Sequence, residues 1–534
     1  MKINKLLVVA LLVGTTSFAQ NLQSAIKNID NELFTESEKE LKALITKEPT
    51  NATNYYYLGE NFFARKENDS ALFYWNKAVS SDAVSHFGQI SQGKIKLVSG
   101  DVVGAKDIFT NLITSTKNKN AEVLRHVAKS YLSTDTRNYD ECISLLRRAI
   151  ELEPKNEDNF LLLGDALLGK TPKDANEAIK NYNFVLDINP TSAKGLVKIG
   201  KIYTRAKADS SANSYFQQAQ KLDPTYAPAY RENAELFLNA NKPKRAIESW
   251  KKYLELNNSL EARYRYTTAL FVGKQYCDVI TEGTNLKQSG YTSFYVDRML
   301  MSAYADCNPS DKENAAKGLA VADLFFATAP KDKINFLDYK AKGQLLVNAG
   351  KDSLAIAEYE KASATDEKAK KELAGTLAKS YLKIKNYPKA IENLEYKLAN
   401  DKLNAAELYD LGKAYYVGPK NYLLADTTFA KLNITSPSYA PGFFWRGRAS
   451  YQLDPKNEKW LALPYYQKAF EMVKLEDRAL PANKSMVIES AKYVGEYYFK
   501  SPAKDLTKAK EYFKVVTDLD PNDPQAKAFF AIVK

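Results

Sequence analysis

One spacing recurs along this chain and restricts its fold more than any other feature. In residues 199–224, IGKIYTRAKADSSANSYFQQAQKLDP, Gly200 is followed by Tyr203, Ala212, Phe216, Ala219 and Pro224. The first half, a small residue with a large one three later, returns at Gly59/Phe62, Ala128/Tyr131, Gly164/Leu167, Ala234/Phe237, Gly343/Leu346, Ala378/Tyr381, Gly412/Tyr415 and Gly495/Tyr498. The second half returns at Ala71/Trp75/Ala78, Cys142/Leu146/Ala149, Ala178/Tyr182/Val185, Ala246/Trp250/Tyr253, Ala355/Tyr359/Ala362, Ala425/Phe429/Leu432, Ala462/Tyr466/Ala469 and Ala509/Phe513/Val516. Successive units start about 34 residues apart, a period that marks stacked supersecondary repeats.

Spacings of three, four and seven place these side chains on one face of a helix, so each unit reads as two helices. Gly or Ala at the marked positions lets the two helices approach closely, and the aromatic residues fill the gaps beside them. Between the halves stand turn signals such as Lys207-Ala208-Asp209-Ser210 and Asn241-Lys242-Pro243, and a closing Pro stops the second helix. A single hairpin of this kind cannot bury its apolar face. Stacked hairpins bury one another, which predicts an all-α, right-handed superhelical α-solenoid of helix-turn-helix repeats whose first helices line a concave surface.

The pattern resembles the tetratricopeptide repeat family, and about fourteen units of it cover nearly the whole chain after residue 19. The units near Ala83, Ser259 and Tyr291 depart most. Gly93 is followed by Lys96 rather than by an aromatic residue, and the unit after Tyr291 carries the insertion Asn308-Pro309-Ser310-Asp311-Lys312. Taken as a joint, that insertion divides the chain into repeat blocks 20–307 and 308–534.

Residues 1–19, MKINKLLVVALLVGTTSFA, combine two lysines, the apolar run Leu6–Val13 and a small-residue end, the layout of a secretory signal peptide. The run is well short of the ~20 apolar residues of a membrane span. The expected mature chain begins near Gln20 and is exported to the periplasm or the outer membrane of a Gram-negative bacterium. Without Lys2 and Lys5 there remain 74 basic and 64 acidic residues, and they interleave as on a solvated surface rather than clustering as in a nucleic-acid groove. Three cysteines make no disulfide framework. Cys277 and Cys307 lie in neighbouring repeats, where an oxidising compartment permits a bridge, but the plainer expectation for all three, Cys142 included, is that of buried small hydrophobes.

No constellation for catalysis or for a cofactor is present. The two histidines, His86 and His126, stand without metal-ligand spacing, and no phosphate loop or nucleophile elbow occurs. No enzyme activity, cofactor or metal is therefore expected. Most residues of the aromatic runs Tyr55-Tyr56-Tyr57, Phe443-Phe444-Trp445 and Tyr465-Tyr466 fall at core positions of the repeat family. The candidate ligand groove is a ladder of cations one turn before the small position of successive first helices: Arg231, Arg265, Arg298 and Lys340, with Arg125 and Lys129 around Ala128 and Lys194, Lys198 and Lys201 around Gly200. Such a ladder suits carboxylates of an acidic peptide. The plainer reading is pairing along one helix, with Glu235 for Arg231 and Glu261 for Arg265; Arg298 and Lys340 have no acid at that spacing. The resemblance implies a non-enzymatic scaffold of the cell envelope that holds protein or peptide partners in its concave groove, associated with the outer membrane through them. The alternative is a binding protein for an anionic envelope polymer or glycan.

Overall fold

The computed structural model describes residues 22–135, 137–172 and 175–533; the expected signal segment 1–19 lies outside them. The described residues form 29 α-helices and two short 3-10 turns, with no strand among them, so the chain is the all-α solenoid of stacked helical hairpins that its period predicts. It divides into two compact units, Met1–Thr292 and Ser293–Lys534.

The first unit contains eight hairpins: α1 (Leu22–Asp30) with α2 (Phe34–Lys47), α3 (Ala52–Ala64) with α4 (Asn68–Ser81), α5 (His86–Val98) with α6 (Val102–Ser115), α7 (Ala121–Leu132) with α8 (Tyr139–Leu152), α9 (Glu157–Lys170) with α10 (Asn176–Ile188), α11 (Ala193–Arg205) with α12 (Asp209–Leu222), α13 (Ala227–Asn239) with α14 (Pro243–Leu256), and α15 (Leu260–Val272) with α16 (Tyr276–Gln288). The second contains six: α17 (Phe294–Asp306) with α18 (Lys312–Thr328), α19 (Phe336–Asn348) with α20 (Asp352–Ser363), α21 (Glu367–Lys383) with α22 (Tyr387–Asn400), α23 (Ala405–Val417) with α24 (Tyr422–Thr435), α25 (Ala440–Leu453) with α26 (Leu463–Glu471), and α27 (Pro481–Lys500) with α28 (Leu506–Leu519), followed by a last helix, α29 (Pro524–Ile532). The insertion after Asn308 lies inside the second unit as the turn between α17 and α18, where the Asp311 side chain caps the backbone N–H groups of Glu313 and Asn314.

Local chemistry sets the helix ends. Ser192 caps α11 by accepting from the Gly195 N–H, Asn120 caps α7 through the Val123 N–H, and Asn335 and Asn404 form full capping boxes with Asp338 and Glu407. Most turns inside the hairpins pass through left-handed backbone, as at Lys207 (φ 56°) and Asn241 (φ 54°). There the Ala208 and Lys242 N–H groups donate to the Tyr203 and Phe237 carbonyls, closing orphan carbonyls of the preceding helix.

Packing within a hairpin follows the small and large pattern. A Cβ added at Gly200 would stand 2.5 Å from the Phe216 ring, and one at Gly412 2.7 Å from the Phe429 ring, so only glycine allows these helices to approach this far. Gly59 and Trp75, Gly164 and Tyr182, and Gly343 and Tyr359 meet in the same way. Each of these aromatic side chains is buried, a contribution of about 1.5–3 kcal/mol apiece. The third hairpin, irregular in sequence, keeps this contact between Gly93 and Phe109 and buries Leu97, one position beyond Lys96. The eighth hairpin departs for a different reason. Counting from the helix starts, Thr267 occupies the glycine position of α15 and Gly283 the aromatic position of α16, so the larger residue of the pair sits on the first helix and is not aromatic.

Between hairpins, first helices touch the next first helix, as α3 touches α5 and α5 touches α7, and form the inner layer of the stack. Of the cysteines only Cys142 meets the expectation of burial. Cys277 is exposed at the start of α16 and Cys307, half-buried, caps the end of α17, positions outside the small-residue seam. Tyr56, Tyr57, Phe444 and Tyr466 are buried in the core, as their repeat positions require.

Candidate partner-binding groove

Every residue of the predicted cation ladder faces a carboxylate. Within the first unit, Arg125 bonds Glu153 at 3.0 Å and the Asn159 side-chain oxygen at 3.2 Å, Lys129 lies 3.6 Å from Glu60, Lys198 grips Asp165 at 2.6 Å, and Lys201 lies 3.1 Å from Glu232. Arg265 pairs with Glu261 one turn back at 2.8 Å, the local pairing expected from sequence. In the second unit Arg298 forks onto Asp338 at 2.8 and 3.0 Å, and Lys340 reaches Glu372 at 2.7 Å. The acids that Arg298 and Lys340 lack on their own helices are thus supplied by the next first helix of the stack.

Lys194 and Arg231 find their partners much farther away in sequence. Lys194 binds the Asp30 carboxylate and lies 3.4 Å from Asp158. Arg231 takes Glu32 through two parallel bonds, from Nε at 3.2 Å and Nη2 at 3.0 Å, and lies 2.8 Å from Glu232; the expected Glu235 is not its partner. Tyr253 also donates to Glu32 at 2.8 Å, and the Asn31 side chain donates to the Thr225 hydroxyl at 3.3 Å. The turn between α1 and α2 is therefore docked on the sixth and seventh hairpins of its own unit. Burial disfavours the charges of Lys194 and Arg231, but the carboxylates of Asp30 and Asp158, and of Glu32 and Glu232, outweigh it and hold both cations above their usual range.

Beside the docked turn lies a cavity of about 640 Å³, within the size range of ligand sites. Glu32 and Phe34 form one wall, Arg65 and Glu67 another, and Arg231, Trp250, Tyr253, Glu261 and Arg265 the remainder. Of the ladder only Arg231 and Arg265 are brought together here. Sequence reasoning missed Glu32 and Tyr253, and no signal at repeat spacing points to them.

A second polar cluster lies in the core of the early hairpins. Glu60, Lys94 and Lys129 each follow the small position of successive first helices. The Lys94 side chain is fully buried against Glu60, with its ammonium 4.8 Å from the ring centres of both Phe63 and Trp75. Burial opposes the Glu60 charge, but Lys94 and Lys129 hold its carboxyl below the usual range; burial pulls the Lys94 ammonium below its own. Next to them His126 is buried between two phenols, with Tyr56 3.1 Å from Nδ1 and Tyr57 3.2 Å from Nε2. Burial, with Lys129, Arg125 and Lys94 nearby, lowers the His126 pKa well below the ordinary imidazole value. His86 is exposed near Asn120. No group of three or more His, Cys, Asp or Glu side chains among the described residues is placed to hold a metal ion.

A family model described as tetratricopeptide repeat matches residues 126–156, most of α7 and α8. Among solved structures, the C-terminal part of a tetratricopeptide repeat-containing protein from Cytophaga hutchinsonii is 27% identical, covering 50% of this chain and 98% of that one at a TM-score of 0.42. The pilF protein of Pseudomonas aeruginosa is 18% identical over 39% of this chain and 93% of its own, at 0.32. A tetratricopeptide repeat protein of Thermus thermophilus is 19% identical over 35% and 99%, at 0.30. No curated protein matches the chain.

Proposed function

Since the chain is a multi-repeat tetratricopeptide repeat protein, and such proteins generally act as protein-interaction scaffolds, we propose that this one is a non-enzymatic scaffold of the cell envelope that holds protein partners on its inner layer of first helices. The observation that carries this reading is the first unit's cavity of about 640 Å³, walled by charges of both signs, with Arg65, Arg231 and Arg265 beside Glu32, Glu67 and Glu261. A surface of both signs suits the mixed side chains of a polypeptide. An anionic polymer would meet the carboxylates of Glu32, Glu67, Glu235 and Glu261 in the same walls, which disfavours the alternative.

The envelope setting rests on the signal-like residues 1–19, which predict a mature protein beginning at Gln20. Among the described residues no helix is long and apolar enough to cross a membrane; outer-membrane association through its partners is part of the proposal. Affinity purification from the native envelope at moderate salt, followed by identification of the co-eluting proteins, tests the reading. A defined set of proteins that survives added salt supports it. Recovery of acidic glycan alone, released steeply as salt screens exposed charge, would transfer the function to the polymer reading.

A further inference from the structure

The turn between α1 and α2 differs from its counterparts in the same unit. Lys66, Gly100, Lys207, Asn241 and Lys274, each in the left-handed turn of its own hairpin, are exposed. Asn31, beside the left-handed Glu32 (φ 58°), is 3% exposed, and the side chains of Asp30, Asn31 and Glu32 bond residues 164 to 221 positions away in sequence. Nothing in the repeat itself requires one hairpin turn to be buried.

The contacts read three consecutive side chains. The Lys194 ammonium takes the Asp30 carboxylate, the Thr225 hydroxyl accepts from the Asn31 amide, and the Arg231 fork together with the Tyr253 hydroxyl takes the Glu32 carboxylate. A planar guanidinium meeting a carboxylate through two parallel bonds is a geometry specific for that group. The pattern recognised is acid, amide, acid along a tight turn, and the recognising groups come from separate elements: α11, the turn before α13, α13 itself and α14. Recognition by side chains alone is transferable to any segment with the same three residues.

We propose that Lys194, Thr225, Arg231 and Tyr253 form a docking site for an acidic segment of a partner protein, in which two carboxylates flank one polar residue, and that the chain's own Asp30-Asn31-Glu32 is its resident occupant. This rests on the scaffold reading and names the chemistry of the partner. The resident turn keeps the two cations neutralised when no partner is bound, and a partner segment competes for them. The cavity beside the turn, which Glu32 and Phe34 wall on one side, enlarges when the turn leaves.

The test uses the full chain and a synthetic peptide with the sequence of residues 28–35, NIDNELFT. In the variant Asp30→Asn/Glu32→Gln the resident turn has lost its charges, and the peptide binds about tenfold or more tighter than to the unaltered chain. Adding Lys194→Ala/Arg231→Ala abolishes that binding. The unaltered chain supplies a second reading that needs no substitution: excess peptide displaces the resident turn, so deuterium uptake of residues 22–47 rises severalfold, and a peptide with Asn and Gln in place of the two acids leaves it unchanged. Equal binding to both chains, binding that survives loss of Lys194 and Arg231, or uptake that excess peptide does not change overturns the proposal. Failure to capture an envelope partner would leave these peptide measurements standing, and absence of peptide binding would leave a captured partner standing.

Discussion

Replacing Glu60 by Leu removes the group that compensates the deepest charge in the molecule. The Lys94 side chain is fully buried, its ammonium bonds Glu60, and its other near neighbours are the Phe63 and Trp75 rings and the like-charged Lys129. Breaking a buried pair by deleting one partner costs about 3–5 kcal/mol, and Glu60→Leu lies at the upper end because no second acid faces Lys94. The reverse change differs. In Lys94→Met the Glu60 carboxylate keeps Lys129 at 3.6 Å, so the cost falls to about 1–3 kcal/mol. The double variant buries two apolar groups in place of the pair and returns to within about 1 kcal/mol of the parent. The cycle therefore closes with a coupling energy of about 5–8 kcal/mol between the two sites, the two single costs together less that of the double variant. Urea unfolding followed by Trp75 fluorescence, with Trp250, Trp445 and Trp460 replaced by Phe, reads the first unit alone. The variant also has a pH signature. Burial already holds the folded Lys94 below the ordinary lysine value of 10.5, and losing Glu60 lowers it further. The unfolded chain then binds more protons, so the stability deficit shrinks as pH rises from 7 toward 10.5. Glu60→Leu costing no more than Lys94→Met, or a deficit independent of pH, would refute the reasoning.

His126 gives the opposite end of the pH scale: its folded pKa is far below the unfolded 6.5, so the stability of the first unit is full above pH 6.5 and declines below it. Melting temperatures at pH 7 and 5 check this, and His126→Phe flattens the difference. In the second unit Arg298→Met leaves the buried Asp338 carboxylate without its cation, held by the Asn335 N–H of the capping box, and lowers stability by about 3 kcal/mol, whereas Arg298→Lys, with one ammonium for a two-bond fork, loses about half as much by denaturant midpoint. Gly200→Val drives a side chain into the Phe216 ring and costs about 1–3 kcal/mol by thermal melting; the same change at Gly290, where the surroundings are open but φ is +85°, costs about 1–2 kcal/mol through backbone strain alone. Export predicts that protein from the envelope begins at Gln20 by intact mass and that Cys277 and Cys307 resist maleimide labelling until reduced.

The fold was legible because its determinants are local and periodic. Gly200 and Phe216 are sixteen residues apart, and the same separation recurs at Gly59 and Trp75, at Gly93 and Phe109, and at Gly343 and Tyr359, so one contact rule serves the whole stack. The eighth hairpin is degenerate in sequence because Thr267 and Gly283 stand where other hairpins carry a glycine and an aromatic residue, which erases the mark of the seam. The cation ladder was equally visible, but its chemistry was not. A search for acids four residues away finds Glu261 for Arg265 and nothing for Arg298 or Lys340, whose partners Asp338 and Glu372 stand 40 and 32 residues on.

Those two separations are close to one repeat, which shows what kind of information a linear reading discards. Partners one repeat apart are fixed by the stacking of adjacent hairpins, and a scan for acids at roughly the period of 34 residues would have found them. The meeting of Arg231 with Glu32, 199 residues apart, obeys no such rule. It depends on the small rotation from each hairpin to the next, accumulated over six hairpins, and a change of a few degrees per step would carry the α1–α2 turn past Arg231 altogether. The fit of the docked turn is for that reason tied to the stacking of the hairpins between. Any partner that alters the stacking of the intervening hairpins alters the fit of Asp30, Asn31 and Glu32 against Lys194, Thr225 and Arg231, and the same coupling requires that removing the turn's charges change how readily those hairpins bend.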